Sequence, residues 1–142
     1  MENKGRIVGI GGVFFKCKDV AATKKRYSDK MGLKTDQYGA TFAFKKLDAG
    51  DVGTLQWSAF PSDTKYFLND EQEFMINYRV ENLEPLVENL KADGVVFTDE
   101  IENFEYGKFI HMLDADGRLV ELWEPVDAIF TDNVDLDTFN HE

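Results

Sequence analysis

The chain has 142 residues, a net charge of −11, 43% hydrophobic and 13% aromatic residues, and a single cysteine. That length suits one domain, 1–142, with a buried core, and the aromatic content argues against disorder throughout. The acidic balance speaks against nucleic-acid and anionic membrane partners, because phosphate binding needs clustered Lys and Arg.

Met1 to Arg6 is not followed by a long apolar run, and no segment approaches the roughly 20 apolar residues of a membrane span, so a cytoplasmic location is expected. A lone Cys17 forms no intrachain disulfide and fits a reducing compartment.

Arg6 to Cys17 reads as an apolar strand whose Gly9, Gly11 and Gly12 mark a bulge or a close approach to the backbone. Asp19 is the expected N-cap of a helix over 20–31, with Val20, Thr23, Tyr27 and Met31 on its buried face and Gly32 ending it. Strands follow at about 39–46 and 52–59. The connector 61–73 is rich in turn formers and charges; its Tyr66 and Phe67 are expected in a lid or a dimer contact. Phe74 to Val80 reads as a strand. Asn82 is the expected cap of a second helix, with Leu83, Leu86, Val87 and Leu90 on its apolar face. Val95 to Phe97 reads as a further strand. Asp114-Ala-Asp-Gly117 is the tight turn of a closing hairpin, whose second strand places Glu121 and Trp123 on one face. The tail 126–142 is acidic and carries Ile129, Phe130 and Phe139, which are expected to dock on the body or on a second subunit.

The order strand, helix, three strands occurs twice: module one over about 6–60 and module two over about 74–125. The expected fold is therefore α+β, two βαβββ modules with pseudo-twofold symmetry forming an incompletely closed sheet around a cleft.

Ile10-Gly-Gly-Val, Lys18-Asp-Val, Met31-Gly-Leu, Val80-Glu-Asn-Leu, Tyr106-Gly107, Asp114-Ala-Asp-Gly117 and Glu121-Leu-Trp-Glu-Pro125 together resemble the vicinal oxygen chelate superfamily over about residues 7–125. That superfamily contains glyoxalase I, extradiol dioxygenases, fosfomycin-modifying enzymes and bleomycin-resistance proteins. The resemblance implies a homodimer and a cleft that in many members holds a divalent metal on His and Glu from four strands. Carried onto this chain, the four ligand positions are Gly12, Gln56, Met75 and Glu121, with Trp57 replacing Gln56 if the strand register slips by one. Gly offers no donor, and Gln and a thioether are weak ligands, so no cofactor is expected, although a divalent metal on a different ligand set stays open.

The expected cleft residues are Lys16, Gln56, Asn77, Arg79, Tyr106, His111, Glu121 and Trp123. Lys16 and Arg79 either clamp an anion or neutralise a buried acid. His111 and Glu121 are the candidates for acid–base catalysis. The favoured reading is metal-independent binding of a small molecule; the alternatives are a lyase, isomerase or dioxygenase, or a structural module whose tail contacts a partner.

Overall fold

The computed structural model describes residues 4–47 and 50–133. Strand β1 (Arg6–Cys17) leads into helix α1 (Val20–Met31), then β2 (Ala40–Lys45) and β3 (Val52–Pro61). The second half runs β4 (Phe74–Glu81), α2 (Leu83–Ala92), β5 (Glu102–Phe104), β6 (Gly107–Leu113) and β7 (Leu119–Pro125), and ends in a 3₁₀ helix, Asp127–Asn133. Asp19 caps α1 as expected, its Oδ1 accepting the Ala22 N–H at 3.0 Å, and Gly32 ends it with φ +72°. Phe139 and the remainder of the acidic tail lie outside the described residues.

All seven strands join one open sheet in the order β2-β3-β1-β4-β7-β6-β5. β1 and β4 meet antiparallel at its centre, β3 lies parallel beside β1, and β7 lies parallel beside β4. The two halves are thus related by a pseudo-twofold axis through the β1–β4 seam, in agreement with the expected α+β class. Module one has two strands after its helix rather than three. Where another strand was expected, Asp36 accepts the N–H groups of Tyr38 (2.8 Å) and Gly39 (3.0 Å), and this side-chain turn reverses the chain. In module two the expected strand at 95–97 is reduced to one bridge, Phe97 to Met112, and the pairing with β6 is taken up by β5.

Two further expectations are corrected. Asn82 adopts φ +57° and its side chain caps nothing; Glu124 instead reaches from β7 so that its Oε1 accepts the Leu83 N–H at 2.7 Å. A carboxylate at a helix N-terminus satisfies an orphan donor and opposes the helix dipole. The α1 face is only partly buried: Val20, Thr23 and Tyr27 are half-buried, Met31 is 60% exposed, and the Tyr27 ring meets Trp57 at 4.9 Å.

Two apolar clusters hold the sheet. Val80, Leu83, Val87, Ile110 and Leu122 fill the face under α2, and Phe14, Phe67, Met75 and Leu119 fill the opposite face. Phe67 is fully buried there, so the connector does contribute to the core. Gln72 fastens the same connector to β7, its amide donating to the Leu119 carbonyl (2.8 Å) and accepting the Leu119 N–H (2.9 Å). No helix among the described residues is long and apolar enough to cross a membrane.

β1 pairs with β3 only from Gly12 opposite Gln56 onward. Where the strands diverge, an ion pair takes the place of the ladder. Thr54, fully buried on β3, donates its N–H to Asp127 Oδ1 (3.1 Å), and its carbonyl accepts from Arg79 Nη1 (2.9 Å). Arg79 holds Asp127 by both carboxylate oxygens, at 2.9 and 2.6 Å, and Lys46 joins at 3.1 Å. Burial pushes the Asp127 carboxyl up, but Arg79 and Lys46 outweigh it and hold it below the ordinary Asp range. Its contribution to stability is therefore present above about pH 3.9 and lost as pH falls through the depressed folded value. Asp127→Asn leaves Arg79 buried without its charge partner and is expected to cost about 3–5 kcal/mol in urea unfolding at pH 7, and Arg79→Met combined with Asp127→Leu is not expected to recover that loss, because it leaves the buried Thr54 N–H and carbonyl without partners.

Candidate functional site

Strand register sets one row of side chains across the cleft face. Reading from β2 to β6, Thr41 lies opposite Gln56, Gln56 opposite Gly12, Gly12 opposite Asn77, Asn77 opposite Glu121, and Glu121 opposite His111. The separation from Gly12 to Gln56 along the chain equals that from Asn77 to Glu121, so the pseudo-twofold axis pairs Gly12 with Asn77. Met75 is therefore not the symmetry mate of Gly12. It lies two residues earlier on the same face, 1% exposed, packed with Phe14, Phe67 and Leu119. Gln56, rather than Trp57, occupies the row, because Trp57 faces α1.

At the module-two end of the row Glu121 is 1% exposed and surrounded by donors. Asn77 Nδ2 donates to its Oε1 at 2.5 Å, and Oε2 accepts a short hydrogen bond from the Tyr66 hydroxyl and faces His111 Nε2 at 2.7 Å. The other imidazole nitrogen, Nδ1, meets Asp99 Oδ2 at 2.7 Å, while the His111 backbone N–H donates to Asp99 Oδ1 at 2.8 Å. A neutral imidazole donates through one nitrogen only, so two carboxylates on opposite sides select the imidazolium. Burial works to lower the His111 pKa, but the hydrogen bonds and charges of Glu121 and Asp99 prevail and hold it above its ordinary value. Burial, and then the Glu121 charge, push the Tyr66 hydroxyl well above the ordinary Tyr range, so it stays protonated as a donor. Tyr66 is held in place by stacking on Phe60 (5.4 Å) and by an edge contact with His111 (5.2 Å). It closes the carboxylate off from solvent on the connector side.

The cleft itself lies over the other end of the row. It has a volume of about 490 Å³, with Gln56, Ser58, Thr41 and Asn77 on its floor and Phe14, Tyr38, Tyr106, Phe109, Trp123 and Phe130 around them. Trp123 stacks on Phe109 (5.6 Å) and meets the edge of Phe130 (5.6 Å), and its Nε1 donates to the Tyr106 carbonyl at 3.1 Å. Phe130 reaches this wall from the 3₁₀ helix that Asp127 anchors to β3, so the beginning of the tail docks on the body. Two acids, Asp36 and Glu105, line the cleft and no base does. Two buried polar atoms, Gln56 Nε2 and Asn77 Oδ1, have no hydrogen-bond partner among the described residues.

Two glycines make this floor possible. β1 shifts register between Ile10 and Gly12, which is the bulge its glycines suggested. A Cβ on Gly11 would stand 2.2 Å from Asn77 Oδ1 and 2.8 Å from Trp123 Cε3; one on Gly12 would stand 2.9 Å from the Phe14 ring.

Of the residues expected in the cleft, Gln56, Asn77, Tyr106 and Trp123 line it. His111 and Glu121 form the buried network beside it. Lys16 turns to the connector, where its Nζ donates to the Asn69 (3.0 Å) and Asp70 (3.2 Å) carbonyls. Arg79 is spent on Asp127, so neither cation is placed to clamp a ligand in the cleft. A larger groove of about 880 Å³ opens beyond Arg79 and Asp127, toward Ile7, Val8 and Leu47, but its buried charges are already paired. Asp99 and Asp127 were not singled out from the sequence: Asp99 sits in a loop and Asp127 opens the 3₁₀ helix, neither in a local motif, and only the register of β6 or the path after β7 brings each to its partner.

The divalent metal that the resemblance implies does not fit these residues. The row supplies an amide, a glycine, a second amide and one carboxylate whose oxygens already receive three donors. Among the described residues no three His, Cys, Asp or Glu side chains converge on one point. Asp99 and Glu121 flank opposite nitrogens of His111 and face away from any shared centre.

Because the folded His111 pKa is raised, its contribution to stability is complete below about pH 6.5 and is lost as pH rises through the folded value. Wild-type stability in urea is expected to fall as pH rises above about 6.5, and His111→Gln is expected to flatten that profile. Gly11→Ala is expected to destabilise by about 1–3 kcal/mol, measured the same way, because the Asn77 amide it meets is held by Glu121.

No family model matches the chain, and no curated protein matches it by sequence. Solved structures do match. A methylmalonyl-CoA epimerase from Mycobacterium tuberculosis is 17% identical with a TM-score of 0.58, covering 91% of this chain and 95% of its own. A Streptomyces coelicolor methylmalonyl-CoA epimerase variant in complex with 2-nitronate-propionyl-CoA is 15% identical with a TM-score of 0.62, covering 85% and 99%. A Legionella pneumophila protein described as an NAD-dependent benzaldehyde dehydrogenase is 10% identical with a TM-score of 0.51, covering 80% and 97%. Identities this low speak for architecture and not for activity. The paired modules, the central β1–β4 seam and these matches together give the chain the vicinal oxygen chelate fold.

Proposed function

We propose that this protein binds a small, flat, neutral or cationic organic molecule in the cleft between its modules, without a metal ion. The observation that carries this reading is a cleft of about 490 Å³ walled by aromatic rings over the polar side chains of Thr41, Gln56, Ser58 and Asn77. The aromatic rings favour a flat molecule, and the volume suits a small organic ligand.

The charge of the lining narrows the class. With Asp36 and Glu105 present and no Lys or Arg, the cleft lacks the groups that would receive phosphates. For that reason the acyl-CoA ligand of the epimerase neighbour is not carried over to this chain. Acid–base chemistry at Glu121 and His111 is the second reading, supported by their alignment with Asp99. It ranks lower because Tyr66 and Asn77 occupy the carboxylate and both imidazole nitrogens are already paired with carboxylates.

A thermal-shift panel, run with and without EDTA, tests the proposal. Bicyclic aromatic amines and neutral heteroaromatics are expected to raise Tm equally in both buffers, with quenching of Trp123 fluorescence; acyl-CoA thioesters are expected to leave Tm unchanged. A shift abolished by EDTA removes the metal-free reading, and a shift from acyl-CoA alone removes the charge argument.

A further inference from the structure

We propose that a second copy of this chain docks on the face of the sheet opposite the cleft, along the β1–β4 seam. The register of the seam sorts its side chains between the two faces. Tyr78 and Val80 pack with α2, and Phe15 meets the Trp57 ring on which Tyr27 of α1 rests, so both helices lie on one side of the sheet. On that side Ile7 stands opposite Val80, Ile10 opposite Tyr78 and Phe15 opposite Phe74. The pairs between them, Gly9 with Arg79, Gly12 with Asn77 and Phe14 with Met75, belong to the cleft side. Each register shift inserts one extra residue into β1, which is why Ile7 and Ile10, three apart, share a face.

A sheet face turned to water ordinarily carries polar side chains. This strip carries no charge. Of its six residues only Val80 is buried; Phe15 and Tyr78 are half-buried, and Ile7, Ile10 and Phe74 are 49%, 40% and 59% exposed. α1 rests on Trp57 of β3, and α2 on Val80 and on Leu122 of β7, which leaves the strip open between them. A contiguous apolar strip about 25 Å long, flanked by two helices, marks a protein–protein contact.

Charge decides what covers it. The Lys24, Arg26 and Lys30 side chains of α1 have no ion-pair partner among the described residues, and neither have Glu88 of α2 or Asp93 at its end. Unpaired base on one flank and unpaired acid on the other make the face complementary to itself in one arrangement. A twofold axis parallel to the strands sets α1 of each copy opposite α2 of the other, whereas an axis across the strands sets α1 against α1. The first pairs base with acid at both flanks; the second juxtaposes like charges. The two clefts then open on the outer faces of the dimer, and the contact is independent of what they bind.

Sedimentation equilibrium of the full chain at pH 7 tests the proposal, with urea unfolding of each variant to show that it is folded. The wild type is expected to be a dimer whose dissociation constant rises with NaCl. Ile10→Lys is expected to raise that constant at least about 10-fold. Glu88→Lys with Asp93→Lys lowers the net negative charge, and with it any general repulsion between copies. The pair is nevertheless expected to weaken the dimer about 10-fold, because base then faces base. Adding Lys24→Glu and Lys30→Glu is expected to restore the wild-type constant. The helix variants, at exposed positions or on the rim of α1, carry the test should Ile10→Lys fail to fold. A wild type that stays monomeric, or a dimer indifferent to Ile10→Lys and to the helix variants, overturns the proposal. A dimer that Ile10→Lys weakens but the four charge reversals do not restore overturns the twofold arrangement.

Discussion

The antiparallel register between β1 and β4 is the constraint on which the rest of this structure depends. It places Gly12 opposite Asn77, and the two parallel pairings beside it then bring Gln56 and Glu121 into the same row. Side chains alternate along a strand, so a shift of one residue would turn the whole row to the other face, and a shift of two would keep the face but replace Asn77 with Met75. The bulge at Gly11 and Gly12 fixes that register. It lets β1 accommodate Asn77 and Trp123 at a distance that a Cβ would forbid.

One charge at the end of the row organises its neighbours. Glu121 is buried, and a buried carboxylate is tolerated only when donors converge on it. Tyr66, Asn77 and His111 meet that demand, and Asp99 balances the imidazolium from the far side. The consequence passes along the sheet. With its NH₂ committed to Glu121, the Asn77 amide is fixed in one orientation, its carbonyl oxygen packed against Gly11.

The Arg79–Asp127 pair does comparable work at the other end. β1 and β3 separate below Gly12, which would strand the Thr54 backbone groups in a buried site. Arg79 from module two and Asp127 from the segment after β7 satisfy both. The same contact draws Phe130 over Trp123, so repair of the split ladder and closure of the cleft wall share one anchor.

Much of this was legible in the amino-acid sequence, because it rests on local rules. Turn residues at Asp114 to Gly117, caps at Asp19 and Gly32, apolar periodicity in α2 and the repeated order of elements point to two α+β modules and to the faces carrying Gln56, Glu121 and Trp123. That Gly12, Gln56 and Asn77 are not His or carboxylates is likewise read directly from residue type at named positions. What only the tertiary structure decided is which residues meet: Asn77 rather than Met75 opposite Gly12, Asp127 as the buried acid for Arg79, Asp99 for His111, and Phe67 in the core rather than at a lid. These depend on strand register, on a bulge and on the path of loops, all long-range quantities. A sequence specifies them only through the sum of contacts the folded chain makes, and no local pattern of residues records that sum.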